Sequence, residues 1–308
     1  MAEQLEVFQA HRGRMFGIAY RMLGSAMEAE EVLQDAWLRW QSVDHESVKE
    51  PAAFLAKTVT NLCLNQLTSA RARRETYVGE WLPEPVLTGT VLNGAGLDDL
   101  GPLDEVAQRE SVSFALLTVM EKLTPAERAA YVLREAFAYS HREVADLIGT
   151  TEANARQLHS RARKRVAADQ EPREVDAGQW RVFVERFLAA AKLGDIAGLE
   201  SLLAADVVSR ADGGGKTRAA RQAVIGRSNV ARYLTGVLEK FGAGFSMNFA
   251  QANGEPVLLV TDAEVVRAVV FVTIENGELA NLDFVMNPDK LGLVEDQLSR
   301  IGGVPGLG

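Results

Sequence analysis

Residues 141–161 read HREVADLIGTTEANARQLHSR. Val144, Ala145 and Ile148 recur at helical spacing before Gly149, and Ala155 and Leu158 recur at that spacing after it. Two helices that cross tightly need small residues near the crossing and a glycine where the chain reverses. The stretch therefore predicts a helix-turn-helix, with Thr150 a mild departure from the larger apolar residue common there. The second helix would present Thr151, Asn154, Arg156, Gln157, Ser160 and Arg161 outward, with Arg163, Lys164 and Arg165 following and no acid between 153 and 168. Arg pairs bidentately with guanine, and Asn or Gln with adenine. The cluster at 161–165 suits phosphates, which position a helix without reading sequence. An ordinary helical hairpin with a solvated basic face is the bland alternative.

Two capping boxes frame this region. Thr124 precedes Pro125 and stands three residues before Glu127; Ser140 stands three before Glu143. Helical order is expected from about 104 to 170. Upstream, residues 3–80 read as helical. Leu5, Phe8, Met15, Ala19 and Met22 share one face of a first helix, and Ser25 with Glu28 predicts a cap for the next. That second helix carries Ala29, Val32, Leu33, Ala36, Trp37 and Trp40 on one face and Glu31, Gln34, Asp35 and Arg39 on the other. Pro51 opens a third helix with Phe54, Leu55, Val59, Leu62 and Leu67. It runs into Arg71, Arg73 and Arg74. Those arginines, with Asn61 and Asn65 offering amides to a base edge and Phe54 and Tyr77 bracketing the segment, suggest a second nucleic-acid surface. Arginines matching a helix C-terminal dipole are the plainer reading.

The chain has 308 residues, 47% hydrophobic, with a formal net charge of −9. An acidic total argues against a protein that coats nucleic acid, so the local basic cluster carries the argument. One cysteine, Cys63, falls in an apolar helical pattern and reads as a small buried residue. No apolar run reaches the roughly 18 residues a membrane span needs, and the first residues have no signal-peptide layout. A cytoplasmic protein is expected, without cofactor or metal.

Between the helical stretches, residues 81–103 are broken by Pro, Gly, Asn and Asp and read as an extended linker, with WLPEP at 81–85. A linker has little reason to hold a tryptophan. Trp81 supplies a stiff apolar anchor, and Pro83 and Pro85 hold the chain extended to present it. A pocket on another domain, or packing against the preceding helices, would receive it. After 170 the character changes. Trp180, Phe183, Val184, Phe187, Leu188 and Ala191 form a helical stripe, Gly194 stops it and Asp195 caps the next. A further helix spans roughly 228–241 on Val230, Leu234, Val237, Leu238 and Phe241. The runs FSMNFA, PVLLVT and EVVRAVVFVTIE read as strands, and Asn276-Gly277 as a hairpin turn. Residues 178–290 thus form an α+β domain, with 291–308 a mobile glycine-rich tail.

These motifs carry a resemblance. SAMEAEEVLQDAWLRW (25–40) resembles region 2 of sigma-70 family factors, whose acidic-amide helix face docks on RNA polymerase; Glu31, Gln34, Asp35 and Arg39 would be the contacts. Residues 51–75 resemble the part of region 2 that meets the −10 element, giving Asn61, Asn65, Arg71, Arg73 and Arg74 that role. Asn65 and Thr68 stand where an Asp and a following Arg are common. Residues 111–168 resemble region 4, whose helix-turn-helix reads the −35 element. Regions 1 and 3 have no counterpart, the layout of an extracytoplasmic-function (ECF) sigma factor. WLPEP, DGGGK (212–216) and NPDKL (287–291) resemble the signatures of ECF group 41, which carries a C-terminal SnoaL-like domain.

The resemblance implies two all-α sigma domains (1–80 and 104–170) and a cone-shaped α+β SnoaL-like, nuclear-transport-factor-2-like domain. It implies core RNA polymerase (beta and beta-prime subunits) and promoter DNA as partners, no membrane, and a small ligand of the SnoaL-like pocket. It makes that domain a built-in regulator acting through Trp81, Leu82, Pro83, Glu84, Pro85, Asp212, Gly213, Gly214, Gly215, Lys216, Asn287, Pro288, Asp289, Lys290 and Leu291. The glycines of DGGGK would form either an anion nest or a loop touching the sigma core. The linker acids Glu84, Asp98, Asp99, Asp104 and Glu105 suit a path that RNA normally takes through the polymerase. Other α+β relatives of this kind are enzymes, but all four histidines (11, 45, 141, 159) precede the domain. Asp206, Asp212, Asp262 and Asp283 remain as bases, and Asp283 is read first as a satisfied or rim carboxylate. A DNA-binding regulator working without polymerase is the alternative function.

Overall fold

The computed structural model describes residues 2–74, 77–88, 112–169, 176–242, 244–263 and 265–300. The chain divides into two compact units, the first from the helical stretches either side of the linker and the second from the linker with the C-terminal half.

In the first unit, α1 (Ala2–Leu23), α2 (Ala26–Ser42) and α3 (Pro51–Arg74) pack on one another, and α4 (Phe114–Met120), α5 (Pro125–Glu135), α6 (His141–Ile148) and α7 (Glu152–Asp169) follow. Ser25 caps α2 by accepting from the Glu28 N–H. The expected apolar faces are buried with few exceptions: Phe8, Met15, Ala19, Met22, Leu55, Val59, Leu62, Leu67 and Cys63 are all inside. Leu5 departs from the expectation, remaining 45% exposed in the second turn of α1. Burial also raises the Cys63 thiol pKa, keeping it protonated.

Arg128 on α5 joins the two helical sets. It is buried, and its Nη1 donates to the Met22 carbonyl (2.8 Å) and to Glu121 (2.6 Å). The Met22 carbonyl is among those left open at the end of α1, so one side chain satisfies a helix terminus while fixing α5 against α1.

The second unit is a six-stranded sheet in the order β2-β1-β6-β5-β4-β3, with β1 (Leu203–Asp212), β2 (Val224–Ile225), β3 (Phe245–Ala252), β4 (Glu255–Asp262), β5 (Val265–Glu275) and β6 (Glu278–Val285). β1 runs parallel to β6 and the other pairs are antiparallel. The hairpin at Asn276-Gly277 has positive φ at both residues, as expected, and Asn253-Gly254 makes the β3–β4 turn in the same way. Helices α8 (Ala177–Lys192), α9 (Ile196–Leu202) and α10 (Arg227–Phe241) share a core with one face of the sheet through Trp180, Val184, Phe187, Leu199, Val230, Leu258, Val270 and Leu282. Trp180 also donates to the Val272 carbonyl (2.9 Å), fixing α8 to β5. This is the α+β SnoaL-like architecture that the sequence resembles.

Three features differ from the sequence reading. β1 was not among the expected strands; its Asp206 and Arg210 break the apolar pattern, and pairing with β2 and β6 makes it a strand. Helix α3 ends at Arg74, short of 80, and Tyr77–Thr88 packs with the second unit. The segment 291–300 is no tail: it lies within α11 (Pro288–Arg300), which packs against β5 and buries Leu291, Val294 and Leu298. Residues 89–111 lie outside the described residues, and with them the expected end of the linker, Asp98, Asp99, Asp104, Glu105 and the helical start at 104.

Candidate functional site

The helix-turn-helix is built by local chemistry. Thr124–Glu127 and Ser140–Glu143 both close as reciprocal capping boxes, setting the starts of α5 and α6. Gly149 ends α6 in the left-handed conformation (φ 69°), which an L side chain takes only with strain. Val144, Ala145, Ala155 and Leu158 are buried as expected, whereas Leu147 is inside and Ile148 only half-buried.

The outer face of α7 leaves Thr151, Asn154, Arg156, Gln157, Ser160, Arg161, Arg163, Lys164 and Arg165 exposed. Its basic residues are not all free. Arg165 and Arg161 lie 2.6 and 3.2 Å from the two oxygens of Glu127, and Arg156 pairs with Glu152 at 2.7 Å. Arg163 reaches Glu135 at 4.0 Å. Burial works against the charge of Glu127, but the Thr124 hydrogen bonds and the Arg165 and Arg161 guanidiniums prevail and hold its carboxyl below the usual range. The capping glutamate thus anchors two of the expected phosphate contacts. A second tie was not foreseen. His159 Nε2 lies 2.7 Å from Glu135 and its Nδ1 lies 3.3 Å from His141 Nε2, so α5, α6 and α7 meet at one polar cluster.

On α2, Glu31, Gln34, Asp35 and Arg39 are all exposed, with Leu38 and Met27 beside them. On α3, Asn65 is exposed and Asn61 half-buried; the side chains of Arg71, Arg73 and Arg74 fall outside the described residues. Phe54 packs against Trp40, with ring centroids 5.7 Å apart. Tyr77 belongs to the second unit, where its hydroxyl is used.

There the linker is gripped along its length. Tyr77 Oη donates to Asp212 Oδ1 (2.5 Å) and accepts from Asn287 Nδ2 (2.9 Å). Burial and that carboxylate both raise the phenol's pKa. The Leu82 N–H donates to Asp212 Oδ2 (2.9 Å), and Lys290 Nζ donates to the same carboxylate (2.6 Å) and to the Leu82 carbonyl (2.5 Å). Lys290 Nζ also sits 3.9 Å from the centre of the Trp81 ring, a cation–π contact. Trp81 is only half-buried; the deeply buried linker side chains are Leu82, Val86 and Leu87. Glu84, expected to line a charged path, is buried too, as are Pro83 and Pro85.

DGGGK and NPDKL meet around this network. Gly214 N donates to Asp212, so its amide serves the loop's own carboxylate. Gly214 has φ 59°, and a Cβ there would lie 2.4 Å from the Asn287 side chain. Lys216 pairs with Asp289 at 2.6 Å, and the Asn287 side chain accepts from the Asp289 N–H beside Pro288, the first residue of α11. Leu291 is buried beneath.

Residues 86–88 add to the sheet. The Asn253 N–H donates to the Val86 carbonyl (2.8 Å) and the Thr88 N–H to the Gln251 carbonyl (2.8 Å), with Leu87 opposite Ala252 at the open edge of β3. Two side-chain amides complete the grip. Asn253 Oδ1 accepts from the Val86 N–H (3.0 Å), and Gln297 accepts from the Leu87 N–H (2.9 Å) while donating to its carbonyl (3.3 Å). Sequence reasoning missed both, although the Asn-Gly pair at 253–254 was a hairpin signal.

Three of the four acids weighed as bases, Asp212, Asp262 and Asp283, are engaged elsewhere. Asp283 is buried and receives Arg210 Nε and Nη2 at 2.6 and 2.9 Å, the satisfied carboxylate of the plainer reading. Asp262 pairs with Arg267 (3.0 Å), and Asp206 is exposed. Among the described residues no group of three or more His, Cys, Asp or Glu could hold a metal, and no helix is long and apolar enough to cross a membrane.

Known proteins resemble this chain along its length. Residues 7–73 match sigma-70 region 2 and residues 113–166 match sigma-70 region 4. The ECF RNA polymerase sigma factor SigJ of Mycobacterium tuberculosis is 39% identical over 303 residues, spanning 93% of each chain. The probable ECF RNA polymerase sigma factor SigI of that organism is 27% identical over 292 residues, 94% of this chain and 96% of its own. The crystal structure of M. tuberculosis SigJ superposes with a TM-score of 0.69 at 34% identity, covering 93% of this chain and 98% of that one. With both helical regions matched and the likeness running on through the α+β unit, the chain belongs to the extracytoplasmic-function sigma factors of the sigma-70 family.

Proposed function

We propose that this chain binds core RNA polymerase, directs initiation at specific promoters, and is controlled by its own α+β unit through the linker. The exposed face of α2, with Glu31, Gln34, Asp35 and Arg39, docks on the polymerase, where the beta and beta-prime subunits meet a sigma factor. Asn61, Asn65 and the arginines ending α3 meet the −10 element. The outer face of α7 reads the −35 element, with Arg156 and Gln157 on the base-reading side. The α+β unit takes no catalytic part: Asp283 is tied to Arg210 and Asp212 to Lys290, so neither is placed as a free base.

The observation that carries the regulatory part is the grip on Tyr77–Thr88. Leu82, Val86 and Leu87 are buried and the segment's backbone is bonded by Asp212, Asn253, Gln297 and Lys290. A linker held so firmly is not free to follow another path, so engagement with polymerase and engagement with the α+β unit compete. A small ligand within the SnoaL-like unit would bias that competition.

Run-off transcription with core polymerase tests the reading, comparing the full chain with Trp81→Ala. Both should bind core. A difference in transcript yield at equal core occupancy, in either direction, supports control through the linker. Failure of the full chain to bind core, with no transcript on any screened promoter, would sink the proposal.

A further inference from the structure

We infer that the groove holding Tyr77–Thr88 is a peptide-recognition site that the linker fills as an internal ligand, and that an extended peptide from another protein displaces the linker there. The inference rests on the proposed role of the linker and names the kind of partner that would release it.

The segment is recognised mainly through its backbone. At Val86 and Leu87 both the N–H and the carbonyl are bonded by the α+β unit: Val86 through the backbone and side chain of Asn253, Leu87 through the two ends of the Gln297 amide. The Thr88 N–H bonds the edge strand β3 and its hydroxyl accepts from the Gly254 N–H. Apart from the Thr88 hydroxyl, these contacts read extended backbone and are indifferent to side chains. They are strand addition to an exposed sheet edge, a common mode of peptide capture. Selectivity comes from the buried apolar positions Leu82, Val86 and Leu87, and from the Lys290 face that takes the Trp81 ring.

A groove built this way accepts a strand in trans as readily as in cis; only effective concentration favours the tethered copy. A short tether gives a local concentration of order millimolar, so an outside peptide wins once the cis segment is weakened or drawn away. The partner's chemistry follows from the contacts. It is an extended segment with an aromatic-leucine pair and, after three intervening residues, an apolar pair with free backbone amides.

The test uses the full chain and a fluorescent peptide copying residues 77–88. Trp81→Ala/Leu82→Ala weakens the cis segment and leaves the groove intact. Anisotropy should show binding to this variant at least tenfold tighter than to the parent chain. N-methylation of the peptide at the positions of Val86 and Leu87, or Asn253→Ala/Gln297→Ala in the protein, should each weaken binding at least tenfold. Limited proteolysis within 77–88 is read in parallel. A cis linker that becomes cleavable in the double variant while the peptide still fails to bind overturns the inference and leaves the linker's proposed role standing. A linker that stays protected removes both. Equal binding of a scrambled peptide also overturns it.

Discussion

Lys290 Nζ lies 2.6 Å from Asp212 Oδ2, with the carboxylate fully buried and the ammonium nearly so. The pair brings the NPDKL and DGGGK motifs together, and both members also bond Leu82 of the WLPEP motif. Three short motifs far apart in sequence thus converge on one residue, Leu82. Removing one member strands the other as a buried charge, which costs about 3–5 kcal/mol where the surroundings cannot relax. Lys290→Met should therefore open the linker. Hydrogen exchange at the Leu82, Val86 and Leu87 amides should speed at least tenfold, and unchanged protection would show that the pair does not hold the segment.

Gly214→Ala should act on the same network from another side. The residue sits at φ 59°, and the new Cβ would lie 2.4 Å from Asn287, which itself donates to Tyr77. Strain and displacement together should destabilise the grip by more than about 1 kcal/mol. The expected result is quenching or exposure of Trp81 fluorescence with little change in the far-ultraviolet circular dichroism. An emission spectrum identical to the parent's would mean that the loop has room the geometry denies.

Much of this was legible from local patterns. The helix-turn-helix announced itself because capping boxes, a turn glycine and a basic outer face act within a few residues of one another. The three motifs were legible as motifs, but not their joint geometry, because Tyr77, Asp212 and Lys290 meet only after the chain has folded. Trp81 drew attention as the anchor, yet the deeper burial belongs to Leu82, Val86 and Leu87; an aromatic ring under a lysine is a lid, not a plug. The strand β1 escaped notice because Asp206, Ser209 and Arg210 interrupt its apolar residues, and Arg210 is accommodated only by Asp283 across on β6. The start of α11 reads as a turn before a tail, but Asn-Pro-Asp is also a helix start signal, with Pro at the first helical position.

Asp35→Ala should weaken binding of the full chain to core polymerase while leaving the fold untouched, since the side chain is exposed on α2. A several-fold rise in Kd is expected, the size usual for losing a charge at the rim of an interface. It should be larger at low salt, because screening weakens such contacts. An unaltered Kd at low salt would remove this face of α2 from the docking surface.

Acid should loosen the region 4 helices through Glu127. Its carboxyl titrates below the ordinary value of 4.5 in the folded chain, with Thr124, Arg165 and Arg161 as partners. A lowered folded pKa means that the stabilisation is whole above the ordinary value and is lost as pH falls through the folded one. The melting transition of the helical unit should therefore fall on acidification below about pH 4.5. In Glu127→Gln that fall should be shallower, from a lower starting Tm. Parallel pH profiles for the two proteins would show that the carboxylate contributes no linked stability.

Arg156 and Gln157 stand adjacent on the exposed face of α7, the first paired with Glu152 and the second exposed. A surface pair of this kind is worth well under about 1 kcal/mol, so a guanine edge can compete for Arg156, since a good bidentate contact discriminates by about 1–3 kcal/mol. Arg156→Ala and Gln157→Ala should each reduce selectivity among −35 sequences five- to a hundredfold and leave core binding unchanged. Lys164→Ala should instead weaken all promoters alike and lessen the salt dependence, as loss of a phosphate contact does. The measurement is holoenzyme binding to a panel of −35 variants at two salt concentrations. Equal loss on every sequence for Arg156→Ala would assign that arginine to the backbone and move base reading elsewhere on the helix.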